Sequence, residues 1–485
     1  MTEIVGEISQ KSNYIKTQEE EYQAFLLEHP HYSITFGLDE LRNQDYSILD
    51  QLGHTYLDFT GAGLYARSQI EAHSNFLKNN VFGNPHSTNP TSQSMTDQVE
   101  KVRQSVLDFV HADPQEYICI FTQNASGALK LIGESFPFEA NSQYLLTYDN
   151  HNSVNGIREF ARTRGAKINY IPIALPEMRI NALELESSLA SINNSAVNLF
   201  AYPAQSNFSG VQHSLDWIGK AQHLGWKVLL DVAAFLPTNE LNLSQVHPDF
   251  VVCSFYKLFG YPTGVGALIA RRETLAILKR PWFAGGTITV ASVQSDRYYL
   301  HLGSEGFEDG TLNFLTLPAV EVGLNYLRAI GYPQIHQRVM DLTDWLIHKL
   351  SAIRHATDLP LVKIYGPLET IERGATLAMN FFDQNGHFID HKRIENAANQ
   401  QRISIRTGCF CNPGDGELAL GLSENELTTC FSTKLRMEYE DFRNCLDDKS
   451  TGAVRISLGF ISNFADVYKM VALCTNFLNK NHTEI

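Results

Sequence analysis

The sequence predicts an α/β protein, with a large domain on a mostly parallel, seven-stranded sheet between helices and a smaller α+β domain after it. Three observations predict this. Short runs rich in Val, Ile and Leu alternate with helical patterns through the middle of the chain, as parallel strands covered on both faces do. At 485 residues the chain exceeds the size at which one hydrophobic core stops growing, so a second core is expected. After Ile330-Gly331-Tyr332-Pro333 the pattern changes to long amphipathic helices and scattered strands.

In chain order, a helix is expected over 18–28, then Pro30 and a loop, within an extension 1–50 that packs on the small domain. The large domain covers 51–330. Its strands are Tyr117-Ile118-Cys119-Ile120-Phe121, Tyr144-Leu145-Leu146-Thr147, Ile168-Asn169-Tyr170-Ile171, Val197-Asn198-Leu199-Phe200, Val228-Leu229-Leu230-Asp231, Phe250-Val251-Val252-Cys253-Ser254 and Gly264-Val265-Gly266-Ala267-Leu268-Ile269. The last is expected to return antiparallel after a tight turn. A long helix from Leu317 ends this domain. The small domain, 331–485, is expected to hold helices over 335–352, 389–401 and 464–479, with strands near 375–382, 403–407 and 453–458. Residues 423–449 are polar and loosely patterned, and read as an insertion.

Composition excludes several function classes. A net charge of -15 and a pI near 5.6 argue against nucleic-acid binding, which needs a basic face. No run of eighteen apolar residues exists, and residues 1–22 have no apolar signal-peptide core, so no membrane association and a cytoplasmic location are expected. Seven scattered cysteines fit free thiols in a reducing compartment better than a disulfide framework.

The chemistry gathers at strand ends, where ligands collect in such sheets. Lys257 follows the apolar run 250–254 into Phe255-Tyr256-Lys257-Leu258-Phe259-Gly260, a place with no room for a solvated charge. A lysine delivered there must meet an anion, lose its proton or become covalently attached. Asn124-Ala125-Ser126-Gly127 opens a helix after a strand, as an anion site does. His151 offers an imidazole to cover a planar ring, and Asn207 a neutral donor. Asp231 closes an apolar strand. Holding a pyridine nitrogen protonated by about two extra pKa units takes about 2.7 kcal/mol, beyond the ~0–1 kcal/mol of an exposed ion pair, so such a carboxylate must be buried. Each feature alone has a commoner explanation: a helix cap, a loop histidine, a snorkelling lysine. In the order anion loop, histidine, asparagine, aspartate, lysine they make a site for pyridoxal 5'-phosphate on a Schiff-base lysine.

That order, and several longer words, resemble the class V aminotransferase and cysteine desulfurase group of fold-type-I pyridoxal-phosphate enzymes. The similarity is closest to the N-terminal, desulfurase-like domain of molybdenum cofactor sulfurases. The words are Tyr56-Leu57-Asp58, Gly83-Asn84-Pro85-His86-Ser87, Pro203-Ala204-Gln205-Ser206-Asn207-Phe208-Ser209-Gly210, Phe307-Glu308-Asp309-Gly310-Thr311, Gly408-Cys409-Phe410-Cys411-Asn412-Pro413-Gly414 and Thr451-Gly452-Ala453-Val454-Arg455-Ile456-Ser457. The resemblance implies that Lys257 carries the cofactor, Asp231 its ring nitrogen, His151 its ring face and Asn207 its phenolic oxygen. It implies that Ala125, Ser126 and Ser254 hold the phosphate, and that Thr311 of a second subunit completes it in a homodimer. Tyr256 stands beside the lysine, where many cysteine desulfurases have histidine. Arg455 is implied as the clamp on the substrate carboxylate, with Arg406 nearby. Cys411 falls at the nucleophile's place, the thiolate being the reactive form. The implied reaction turns L-cysteine into L-alanine and passes persulfide sulfur to an acceptor. A C–S lyase, an aminotransferase, an epimerase and a non-catalytic sulfur-relay scaffold remain the alternatives.

Ala234 stands where many desulfurases have glutamine, and Gly416 where sulfurases often have another cysteine. No cofactor-presenting domain is expected after the small one. Cys409 and Cys411 lack further ligands at zinc spacing, so no metal is expected. Gly61-Ala62-Gly63-Leu64-Tyr65-Ala66 imitates a dinucleotide loop, but no second strand ending in an acid follows it.

Overall fold

The structure, a computed structural model, describes residues 16–432, 434, 436–446 and 452–484. Of the sequence readings, the start of the 1–50 extension, Thr451 and parts of 423–449 lie outside the described residues.

Seven strands form the main sheet: β1 (Tyr117–Thr122), β2 (Gln143–Thr147), β3 (Lys167–Ile171), β4 (Leu199–Pro203), β5 (Lys227–Asp231), β6 (Phe250–Ser254) and β7 (Gly266–Arg271). Their order is β1-β7-β6-β5-β4-β2-β3. β7 runs antiparallel to both neighbours, and the remaining pairs are parallel. The continuous apolar runs have a simple cause. Leu145, Phe200, Val228, Leu230 and Val251 enter the core on one face, while Tyr144, Leu146, Leu199, Leu229 and Val252 enter the core on the other. Successive residues point to opposite faces, so a sheet covered on both sides shows no alternation. β4 starts later than the apolar run does, because the buried Asn198 side chain is used as an edge cap, its Oδ1 accepting from Gln143 N–H at 2.7 Å.

A second sheet, all antiparallel, joins Val362–Tyr365, Thr376–Phe382, Ala453–Ser457 and Arg406–Gly408, with Phe388–Ile389 at its side. The expected strand over 403–407 is split: Ile403–Ser404 pairs instead with Thr55–Tyr56. The core behind this sheet contains Trp345, Leu377, Ile456 and Phe464, together with Phe25 and Tyr32 from the N-terminal segment. Helix Gln18–Glu28 brings Phe25 there and starts at a Thr17–Glu20 capping box.

Two corrections to the sequence reading concern 423–449. The segment contains two helices, Glu424–Ser432 and Tyr439–Cys445, with Phe431 and Phe442 stacked at 5.7 Å. Cys430 and Cys445 are joined as a disulfide, their Cα atoms 5.7 Å apart; the helix pairing that brings them together is not visible in cysteine spacing. Among the described residues no helix is long and apolar enough to cross a membrane.

Candidate active site

Five strands, β1, β2, β4, β5 and β6, deliver residues from their carboxyl ends to one cavity of about 230 Å³. β6 runs straight into a short helix, Phe255–Phe259, which turns Lys257 into that cavity. The turn closes at Gly260, whose φ is 77° and where a Cβ would strike the Leu64–Tyr65 peptide. A Cβ on Gly63 would lie 2.9 Å from Gly260 N and 3.0 Å from Lys257 O, and Gly63 N–H donates to Tyr256 O at 3.0 Å. Gly63 therefore serves close approach to the lysine turn, and Gly61 close approach to the Asp58–Arg406 pair, not a dinucleotide.

Lys257 Nζ makes no hydrogen bond or ion pair among the described residues. Burial pushes its ammonium below the usual lysine value, and the Asp231 charge opposes that shift. Asp231 accepts from Ala233 N–H at 2.9 Å through Oδ1, and no described residue claims its second oxygen. His151 accepts from Ser153 N–H at Nδ1, 3.1 Å, so the neutral ring carries its proton on Nε2. Burial pushes this imidazole below its usual value, against the pull of Asp231.

Ala125 and Ser126 line the cavity at the start of helix Ala125–Ser135. Asn124 caps the helix through Gly127 N–H at 2.9 Å, Ala125 N–H donates to Ser254 Oγ at 2.8 Å, and Ser126 Oγ meets Ser153 Oγ at 2.6 Å. Tyr256 and Asn207 complete the lining. Thr311 is not among these residues: it lines a separate cleft of about 450 Å³ with Gln123, Asp309 and Asn313.

The cysteine loop lies against this site. Asn207 Nδ2 donates to Phe410 O at 2.8 Å, and Asn152 N–H donates to Cys411 O at 2.7 Å. Phe410 and Cys411 both have positive φ, 55° and 57°, which side-chain-bearing residues rarely adopt. The two thiols of the loop differ. Cys411 is exposed, while burial, with the Glu417 charge, pushes the Cys409 thiol up to about 11.

Arg455 is 3% exposed and lies outside the cavity lining. Its guanidinium donates to Asn207 O at 2.9 Å and to Asp58 Oδ1 at 3.1 Å and stacks 4.7 Å from the Phe410 ring centroid. Burial pushes it down to about 10, with Asp58 opposing. Arg406, half exposed, takes the same carboxylate at 2.6 Å.

The sequence model of the aminotransferase class-V family matches residues 55–470. The chain belongs to that family. Class-V relatives include the molybdenum cofactor sulfurase of Solanum lycopersicum, 36% identical over 92% of this chain and 57% of the relative. That of Homo sapiens is 35% identical over 89% of this chain and 50% of the relative. The chain thus spans little more than half the length of these relatives. In fold it is similar to the apo cysteine desulfurase from Thermococcus onnurineus NA1, with TM-score 0.72, 23% identity, and 90% and 97% of the two chains covered. It is likewise similar to the cysteine desulfurase CsdA from Escherichia coli, with TM-score 0.69, 18% identity and the same coverage.

The residues present fit pyridoxal phosphate, the cofactor of the class-V group. An unpartnered lysine amine, an unclaimed buried carboxylate oxygen and a capped helix start converge on one cavity. Three acidic residues escaped the sequence reading as site residues. Asp58 was visible only as part of a word. Asp149 lines the cavity and is paired, fully buried, with His213 at 2.6 Å. Asp415, also fully buried, accepts from Ser206 Oγ at 2.6 Å and Asn412 Nδ2 at 3.2 Å.

Proposed function

We propose that this chain is a pyridoxal-phosphate-dependent, cysteine desulfurase-type sulfurtransferase, similar in action to molybdenum cofactor sulfurases. It converts L-cysteine to L-alanine, carries the sulfur as a persulfide on Cys411 and hands it to an acceptor. The observation that carries this reading is the exposed Cys411, on a loop hydrogen-bonded to Asn207 and Asn152, beside the cavity that holds Lys257 and Asp231.

When bound, the cofactor supplies an electron sink for charge at the substrate Cα. Lys257 would hold it covalently, Asp231 would keep the proton on its ring nitrogen, and Asn207 would face its phenolic oxygen with the amide hydrogen not spent on Phe410. His151 would cover the ring, and Ala125, Ser126 and Ser254 would hold the phosphate. Burial lowers the basicity of Lys257, which favours the neutral amine that would take the Cα proton. Arg455 would bind the substrate carboxylate, sharing its charge between that group and Asp58. The Cys411 thiolate attacks the substrate sulfur: the Cβ–S bond breaks, an S–S bond forms, and the freed carbon takes a proton to become the alanine methyl, with no external oxidant.

Thr311 sits apart from its own cavity and also lines a second cleft, with His301 and Gly285 at the base of a hairpin, Ile288–Ser292 and Arg297–Leu300. Val290, Val293, Tyr299 and Leu302 stand exposed there, an apolar patch that supports a homodimer in which Thr311 serves the partner's phosphate. The division into 1–50, 51–330 and 331–485, and a cytoplasmic location, belong to the same proposal.

Incubating the pure protein with L-cysteine and identifying the product tests the reading. Alanine with sulfide is expected; pyruvate with ammonia would mean a C–S lyase. Cys411→Ser is expected to keep the bound chromophore and to lose alanine formation, and unchanged turnover would remove Cys411 from the reaction.

A further inference from the structure

Asp383, His387 and His482 meet outside the candidate active site. Asp383 follows the strand Thr376–Phe382, His387 closes the turn after it, and His482 arrives from the C-terminal segment. The Asp383 carboxylate is fully buried, whereas the two imidazoles are 64% and 44% exposed. Its Oδ1 accepts from Asn385 N–H and His387 N–H, both at 2.9 Å. Its Oδ2 faces His482 Nδ1 at 2.8 Å, His482 N–H at 3.1 Å and His387 Nδ1 at 3.4 Å. One nitrogen from each ring and one carboxylate oxygen lie within 4.8 Å of one another.

We propose that Asp383, His387 and His482 form a binding site for a divalent transition-metal ion of the zinc type. Two imidazoles with one carboxylate are ligands for zinc, cobalt, nickel or copper, not for magnesium or calcium, which take oxygen. Tetrahedral bonds of about 2.0–2.2 Å place ligand atoms roughly 3.3–3.5 Å apart. The Asp383–His387 pair already has that spacing. The Asp383–His482 pair must open slightly, and a ring with 44% of its side chain exposed has room to turn that far. The carboxylate needs no such search, because its other oxygen is fixed by two backbone donors, the outer-shell support that metal ligands usually have. The exposed sides of both rings leave the fourth position to water.

The ion would tie the C-terminal segment to the 383–387 turn, two pieces that already meet through Asn481 Oδ1 with Gln384 Nε2 at 3.1 Å and Asn385 Nδ2 at 2.8 Å. This proposal departs from the expectation of no metal. That expectation came from spacing around Cys409 and Cys411, and the ligands here are brought together by the fold from distant parts of the chain.

The test uses the chelator-treated holoenzyme titrated with cobalt(II) chloride and read by its visible d–d absorption, then with zinc chloride in competition. One equivalent of cobalt, displaced by zinc, is expected in the wild type and in Cys411→Ser. The band is expected to vanish in His387→Ala/His482→Ala while the cofactor absorbance and far-UV spectrum stay unchanged. No band in the wild type, or an equal band in the double variant, overturns the site; a band lost in Cys411→Ser instead assigns the metal to the cysteine loop. Desulfurase activity does not enter the readout.

Discussion

Asp58 serves two arginines at once, one buried and one half exposed. Ion pairs of this kind add little net stability, but removing one partner strands the other charge, at a cost of about 3–5 kcal/mol. We therefore expect Asp58→Ala to lower stability by about that amount, read as a fall in the urea midpoint, because Arg455 is left buried without its carboxylate. An unchanged midpoint would show that Asn207 O alone satisfies the guanidinium. Among the described residues, Asp415 has no cation partner. Burial, and then the Asp149 charge, push its carboxyl well above the usual value, so the folded state binds a proton that the unfolded chain has released above about pH 4. The other groups that face it are Ser206 and Asn412, with His213 already committed to Asp149. With more protons on the folded form, stability falls as pH rises, by about 1.4 kcal/mol per unit in the window between the unfolded and folded values. Asp415→Asn imitates the protonated acid and escapes this loss. Its stability advantage over wild type is expected to grow from about pH 5 to about pH 7, and a constant difference across that range would mean Asp415 is ionised in the folded protein.

Among elements, the short helix that turns Lys257 into the cavity depends on the 61–63 loop beneath it. Gly63→Ala is expected to push that turn outward and reduce the bound cofactor, measured as visible absorbance per chain, with little loss of secondary structure. Full absorbance in that variant would mean that the loop yields instead. The lysine turn was legible in the sequence because an apolar strand ends in a charge; β6 appears with the bounds its residues imply. The hairpin over 288–300 was not legible. Most of its residues are exposed, so no burial pattern marks it. Asp58 and Asp415 were opaque for another reason: their partners Arg455 and Ser206 lie far away in the chain, and only the fold joins them.

For the molecule as a whole, the parallel sheet and the order of site residues could be read from the sequence, since both are local patterns repeated at strand ends. How the small sheet leans on the site could not. Arg406, Cys411 and Arg455 all come from the segment after 400; Asn207, just after β4, ties Phe410 and Arg455 to the large sheet, while Asp58, bridged to Ser457 of the small sheet, holds the two arginines. The apolar hairpin beside Thr311 also belongs to this scale. Val293→Asp with Leu302→Asp is expected to turn a dimer into a monomer by sedimentation and to weaken cofactor retention; a monomeric wild type with full cofactor would end the shared-phosphate reading.

The two left-handed residues at 410 and 411 have a thermodynamic direction. Such backbone costs about 1–3 kcal/mol per residue, and here it is held by hydrogen bonds from Asn207, which lines the cavity, and from Asn152, which follows His151. Once those bonds let go, the peptide relaxes into ordinary conformations. On the sulfurtransferase reading, the strain released offsets part of the cost of breaking those two bonds as the loop carries sulfur outward.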